Sequence, residues 1–142
     1  MAHAEHTVIV DRPISEVFAF LADGTNEPLW RPEVMSIKHI SGSGLGAQYA
    51  QTMKGPGGRT IAGDFRLTRF DEPTRIDFEV TAGPARPTGS YVFRDTGTGS
   101  TEVTFRLDLT PKGLMKLMTP MINKQVRVEV ANLDNLQTAL HR

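Results

Sequence analysis

The 142-residue chain contains no cysteine, which excludes disulfide frameworks, thiolate nucleophiles and cysteine metal sites outright. It carries no surplus of charge either. Sixteen basic and sixteen acidic residues cancel, and neither sign forms a long run. Nucleic-acid surfaces and polybasic membrane patches need concentrated positive charge, so no nucleic-acid partner is expected. Nowhere do about eighteen apolar residues run together, so no stable membrane insertion is expected. The opening MAHAEHTVIVDRP lacks the apolar core of a secretory leader. A soluble, cytoplasmic protein is the expectation. Histidine is scarce: His3, His6 and His141 lie at the ends, and only His39 is internal. His3 and His6 could chelate an adventitious ion, but nothing near them has ligand spacing. No metal site and no cofactor are expected.

What is present reads as one domain, residues 1–142. EHTVIV is β-branched and short, as a strand should be. DRPISEVFAFLADG reads as a helix, with Asp11 or Arg12 at the cap and Pro13 in the first turn. Ile14, Val17, Phe18 and Leu21 give it one apolar face, and Gly24 is its expected left-handed stop. TNEPLWRPEV is too rich in proline for more than a short turn around Leu29 and Trp30.

The middle of the chain is a series of strands separated by turn signals: VMSIKHI, AQYAQTMK, RTIAGDFRLTRF, RIDFEVT, TGSYVFRD and TEVTFRLDL. In the last, Val103, Phe105, Leu107 and Leu109 alternate with Glu102, Thr104, Arg106 and Asp108. Such alternation marks an antiparallel sheet with one wet and one buried face. Gly63 inside a strand predicts a bulge or bend. The glycine-rich SGSGLG precedes a strand and lacks the spacing of a phosphate loop, so it reads as a hairpin turn.

The C-terminal stretch changes period. Ile122, Val126, Val130, Leu133, Leu136 or Gln137, and Leu140 step by three or four. Thr119 and Pro120 make an N-cap and first turn. About 22 residues from there would span roughly 33 Å; the alternative is a longer helix from Leu114 kinked at Pro120. Strand, helix, six strands and long helix make an α+β two-layer domain. A straight helix laid across a bent sheet leaves space between them, where a ligand could sit.

That order resembles the START-like superfamily, the helix-grip fold of pollen-allergen-like proteins and polyketide cyclase/dehydrase relatives. The residues carrying it are DRPISEVFAFLADGTNEPLW, the glycine-rich hairpin, GSYVFRDTGTGSTEVTFRLDLTP and the amphipathic C-terminal stretch. The resemblance implies a curved seven-stranded antiparallel sheet wrapped around a long C-terminal helix, with a deep apolar cavity between them. It implies a hydrophobic small-molecule ligand such as a lipid or polyketide. Rieske-oxygenase domains of related fold need two histidines and a carboxylate for iron, and His39 alone cannot supply them.

The expected cavity lining is Trp30, Tyr49, Met53, Phe65, Phe78, Tyr91, Phe93, Phe105, Met118, Ile122 and Val126. Trp30 and the tyrosines would set ligand orientation; Met118 with Ile122 would shape the lid. Met115, Met118 and Met121, spaced by three, read as core filling, cavity gate or partner surface. If the chain is a cyclase or dehydrase instead, Tyr49, Tyr91, His39 or Gln51 would move protons. His39 shares parity with Met35 and Ile37 and could face the interior. Glu27, Arg31 and Glu33 read as a solvated rim around Trp30. A third reading is an accessory module docking a protein or membrane through LMKLM, and a homodimer is compatible with all three.

Overall fold

The computed structural model describes residues 2–141; the side chains of Pro56, Leu114 and Met115 lie outside that description, and so does the expectation attached to Met115. Strand β1 (Ala2–Val10) leads into helix α1 (Ile14–Ala22) and a 3₁₀ turn at Gly24–Leu29. Strands β2 (Val34–Ser41), β3 (Gln48–Lys54), β4 (Thr60–Ala62), β5 (Phe65–Asp71), β6 (Arg75–Val80), β7 (Thr88–Asp95) and β8 (Thr101–Leu109) follow. A 3₁₀ segment at Gly113–Met118 precedes α2 (Thr119–Ala131), and a second at Asn132–Asn135 precedes α3 (Leu136–Leu140). No helix among the described residues is long and apolar enough to cross a membrane.

The sheet is antiparallel and runs β1-β8-β7-β6-β5-β3-β2, with β4 paired to β3 beside this path. The alternation expected of β8 holds: Val103, Phe105, Leu107 and Leu109 are buried against the helices. β1 is longer than EHTVIV. Its pairing with β8 runs from Ala2↔Leu109 to Val10↔Thr101, so tertiary pairing carries weak strand formers such as Ala2 and Ala4 into the sheet.

The segment read as one strand, RTIAGDFRLTRF, is interrupted between β4 and β5 at Gly63 and Asp64. The Gly63 amide donates to the Gln51 carbonyl at 2.8 Å, while the Asp64 carboxylate accepts from the Gln51 amide at 3.1 Å. A side chain thus replaces one rung of the ladder, and the sheet bends there. A Cβ on Gly63 would lie 2.9 Å from the Met53 sulfur, so this corner has no room for one.

Three helix boundaries depart from the sequence expectation. Pro13 itself is the N-cap of α1, with φ −61° and ψ 149°, ahead of Ile14. Gly24 is not a left-handed stop. α1 ends at an extended Asp23, whose carboxylate accepts from the Thr25 amide. Gly24 serves space instead: a Cβ there would stand 2.9 Å from the Tyr49 ring. At the other end Met118, not Thr119, takes the N-cap position, and the Thr119 hydroxyl donates back to the Lys116 carbonyl. The C-terminal helix is also not continuous, since 3₁₀ backbone separates α2 from α3. Its inner face still forms one apolar row of Ile122, Val126, Val130, Leu133 and Leu136, packed on β1 and β8.

The loop between β2 and β3 is the expected hairpin. Gly42, Gly44 and Gly46 adopt φ of 74°, 65° and 85°, a region side chains other than glycine disfavour.

Candidate functional site: an apolar cavity with a charged wall

Five strands each contribute one ring to a row on the inner face, and the rings touch in sequence. Tyr49 on β3 stacks on Phe65 of β5 at 5.0 Å, and Phe65 meets Phe78 of β6 edge-on at 5.9 Å. Phe78 lies 5.7 Å from Tyr91 of β7, which stacks on Phe105 of β8 at 4.7 Å. Register makes this row possible: Tyr49 pairs with Phe65 and Tyr91 with Phe105. Opposite Phe78 the pairing residue is Gly89, where a Cβ would come within 2.3 Å of the ring.

Between the first four of these rings, Tyr49, Phe65, Phe78 and Tyr91, and α2 lies a cavity of about 130 Å³. Tyr49, Met53, Phe65, Phe78, Tyr91, Ile122 and Val126 border it, so most of the expected lining residues are gathered at one place. The other four stand elsewhere, for identifiable reasons. Trp30, 2% exposed, packs edge-on against Tyr91 and Phe105, and neither Trp30 nor Phe105 borders the space. Phe93 is engaged edge-on by Phe18 of α1. Met118 is 43% exposed in the 3₁₀ segment before α2, and Leu117 and Met121 beside it are exposed too. Met118 and Met121 are therefore neither core nor cavity wall.

His39 does not face the interior. It is exposed at the sheet margin, its ring tilted on Tyr49 at 5.0 Å and its Nε2 donating to the Gly42 carbonyl at 2.5 Å. His3 and His6 pair with Asp108 and Asp134, at 2.5 and 2.7 Å.

The rim expected around Trp30 is instead partly interior. Glu27 and Arg31 leave the 3₁₀ turn as an i, i+4 pair at 2.8 Å, with 4% and 7% exposure. Arg31 reaches across to Glu129 of α2 at 2.5 Å, and Glu129 is equally buried. The Tyr91 hydroxyl donates to the remaining Glu27 oxygen at 3.3 Å, and Gln125 donates to Glu129 at 3.3 Å. Glu33 alone keeps to the surface side, accepting from Asn132. Glu27, Arg31, Gln125 and Glu129 all border the cavity, as does buried Gln51.

Burial shapes the chemistry of this wall. It pushes the Glu27 carboxyl above the usual carboxylate range, against the opposing pull of Arg31 and the Tyr91 hydroxyl. Burial, then the neighbouring Glu27, holds the Tyr91 phenol well above its ordinary value. For Arg31, burial acts to lower the guanidinium, but Glu129 and Glu27 more than offset it, and the side chain stays charged. One wall of an otherwise apolar cavity thus offers a fixed cation, two carboxyls and a phenol.

Fold and cavity together define a helix-grip domain: a curved antiparallel sheet closed over an interior space by its C-terminal helices. The chain belongs to the family described as polyketide cyclase / dehydrase and lipid transport, which it matches over residues 1–141. Solved structures share the architecture at low identity. The Zhui aromatase/cyclase of a Streptomyces species superposes with a TM-score of 0.83 at 17% identity, covering 99% of this chain and 93% of that one. A START superfamily protein from Mycobacterium smegmatis gives a TM-score of 0.73 at 17% identity, over 99% and 94%. Ara h 8.0201 gives 0.69 at 16% identity, over 98% and 97%. No curated protein sequence matches the chain.

Proposed function

We propose that the chain binds a hydrophobic small molecule, of lipid or polyketide type, in the cavity between the sheet and α2. The observation that supports this best is the cavity itself. Protein interiors are normally filled to the density of organic crystals, so an apolar space walled by Tyr49, Phe65, Phe78, Ile122 and Val126 is unusual. Affinity would come from apolar burial, at about 25 cal/mol for each Å² removed from water. Native mass spectrometry of freshly purified protein, followed by solvent extraction, tests the reading. A stoichiometric hydrophobic adduct is expected, and it should vanish in Val126→Phe, whose ring fills the space. An apo mass that persists after incubation with mixed lipids and polyketides would count against binding.

A second reading is an acid–base enzyme of the cyclase or dehydrase type. It is favoured by one observation, the Glu27 carboxyl held above its usual range at the cavity wall and bonded to Tyr91. A buried acid poised toward neutrality can give a proton to a reacting oxygen. Cyclisation of a poly-β-carbonyl probe by the wild-type chain but not by Glu27→Gln would support it. Equal rates with both proteins would remove it.

A further inference from the structure

The binding role just proposed leaves open which polar group the cavity accepts, and the inference here rests on that role. Besides the hydroxyls of Tyr49 and Tyr91, four polar side chains with less than a tenth of their surface exposed border the cavity: Glu27, Arg31, Gln51 and Glu129. Three of them are occupied with one another. Arg31 gives Nη1 to Glu27 and Nη2 to Glu129, while Tyr91 and Gln125 engage the remaining carboxylate oxygens. The Arg31 Nε has no partner, but its guanidinium lies over the Trp30 and Phe105 rings, which stand outside the cavity wall.

Gln51 differs. It projects from β3 between Tyr49 and Met53, both bordering the cavity, and its Oε1 is buried without any hydrogen-bond partner. The sense of the amide is fixed, because its Nε2 donates to the Gly63 carbonyl at 3.3 Å. The bend between β4 and β5 therefore holds the amide so that an acceptor stays buried and unpaired on a residue that borders the cavity. A buried acceptor left unpaired carries a desolvation penalty that a donor arriving with a ligand removes.

We propose that Gln51 Oε1 recognises a hydroxyl, and that the cavity takes a neutral, ring-sized apolar molecule carrying that hydroxyl while Glu27 and Glu129 reject anions. Size follows from volume: a dry apolar cavity of about 150 Å³ accommodates benzene, and this one is about 130 Å³. Charge follows from the wall, where two carboxyls face one arginine already paired to both. Lys54 also borders the cavity, but it is exposed, and an anion held there would leave the interior unfilled. An ammonium group would bring three donors to a wall whose one fully buried unpaired side-chain acceptor, among the described residues, is Gln51 Oε1, and would lose its hydration.

Amide chemical-shift titrations with toluene, p-cresol, p-methylanisole, p-toluate and p-methylbenzylamine test this directly. p-Cresol should bind about tenfold more tightly than toluene or p-methylanisole, the difference one hydrogen bond makes. Apolar burial alone would favour the methyl ether, so the order itself is diagnostic. Gln51→Leu should bring p-cresol down to the toluene level while leaving toluene binding intact, which also shows that the variant is folded. Equal binding of p-cresol and toluene to the wild type would overturn the proposal. So would p-toluate or p-methylbenzylamine binding as tightly as p-cresol. Failure of every probe, toluene included, would instead strike the underlying binding role.

Discussion

Replacing Arg31 with methionine isolates what the charged wall does. Arg31 is 7% exposed and lies 2.8 Å from Glu27 and 2.5 Å from Glu129. At an effective dielectric constant near 20, each close pair has a gross attraction of about 6 kcal/mol. Desolvating three ions costs several kcal/mol each, so the intact triad contributes little net stability. Removing the arginine alone is another matter, since two buried carboxyls then face each other without a cation. A loss of about 3–5 kcal/mol at pH 7 is expected, read as a lower urea midpoint with unchanged m-value. For a chain of this length that corresponds to a melting temperature roughly 10–20 °C lower. The deficit should shrink in acid as the Glu27 carboxyl, already raised by burial, takes up its proton. The triple variant Arg31→Met, Glu27→Gln, Glu129→Leu should recover to within about 2 kcal/mol of the wild type, because two apolar side chains and a neutral amide that still accepts from Tyr91 replace a buried ion network at little cost. A single variant that loses less than about 1 kcal/mol, or a triple variant as unstable as the single, would refute the coupling. A recovered triple variant that no longer binds hydrophobic probes would show the network is kept for function rather than for stability.

Two further outcomes follow from the same geometry. Glu27 has its folded carboxyl raised above the unfolded value of 4.5, so the folded state holds its proton longer. Stability from this group is present below pH 4.5 and lost as pH rises through the folded value, with a slope of at most about 1.4 kcal/mol per pH unit. Denaturation of wild type and Glu27→Gln between pH 4 and 8 should show that decline only in the wild type, and parallel curves would remove the assignment. Gly89→Ala places a methyl 2.3 Å from the Phe78 ring and 2.9 Å from the Arg106 carbonyl. Overpacking of this kind costs about 1–3 kcal/mol, and an unchanged melting temperature would mean that the row of rings yields without strain.

The architecture was legible because it is written in short-range periods. Alternation in β8 and the three-to-four step of α2 each follow from local chain geometry, and both survive in the folded protein. The bend at Gly63 was legible for the same reason, since a glycine inside a strand has few other uses. What failed at the boundaries required knowledge of distant neighbours. Nothing in DRPISEVFAFLADG shows that the Tyr49 ring will press on Gly24, and nothing in AHAEH shows that β8 will extend to meet it.

The polar wall was harder, yet one signal was available. Glu129 falls on the apolar row itself, three residues after Val126 and four before Leu133. A carboxylate at such a position must find a cation or lose its charge. Its partner could not be found by period, because Arg31 sits in the proline-rich connection that follows the 3₁₀ turn, without one. Trp30 and Arg31 are adjacent, and the chain leaving that turn buries both of them, the ring behind the wall and the guanidinium within it. A tryptophan so placed reads as a ligand platform from sequence, whereas here it backs the arginine at 5.8 Å. Apolar residues identify the space, since many of them obey one pattern. The few polar residues that give the space its chemistry are exceptions to the pattern, and an inward-facing Glu129 or Gln51 is informative because burial there demands a partner.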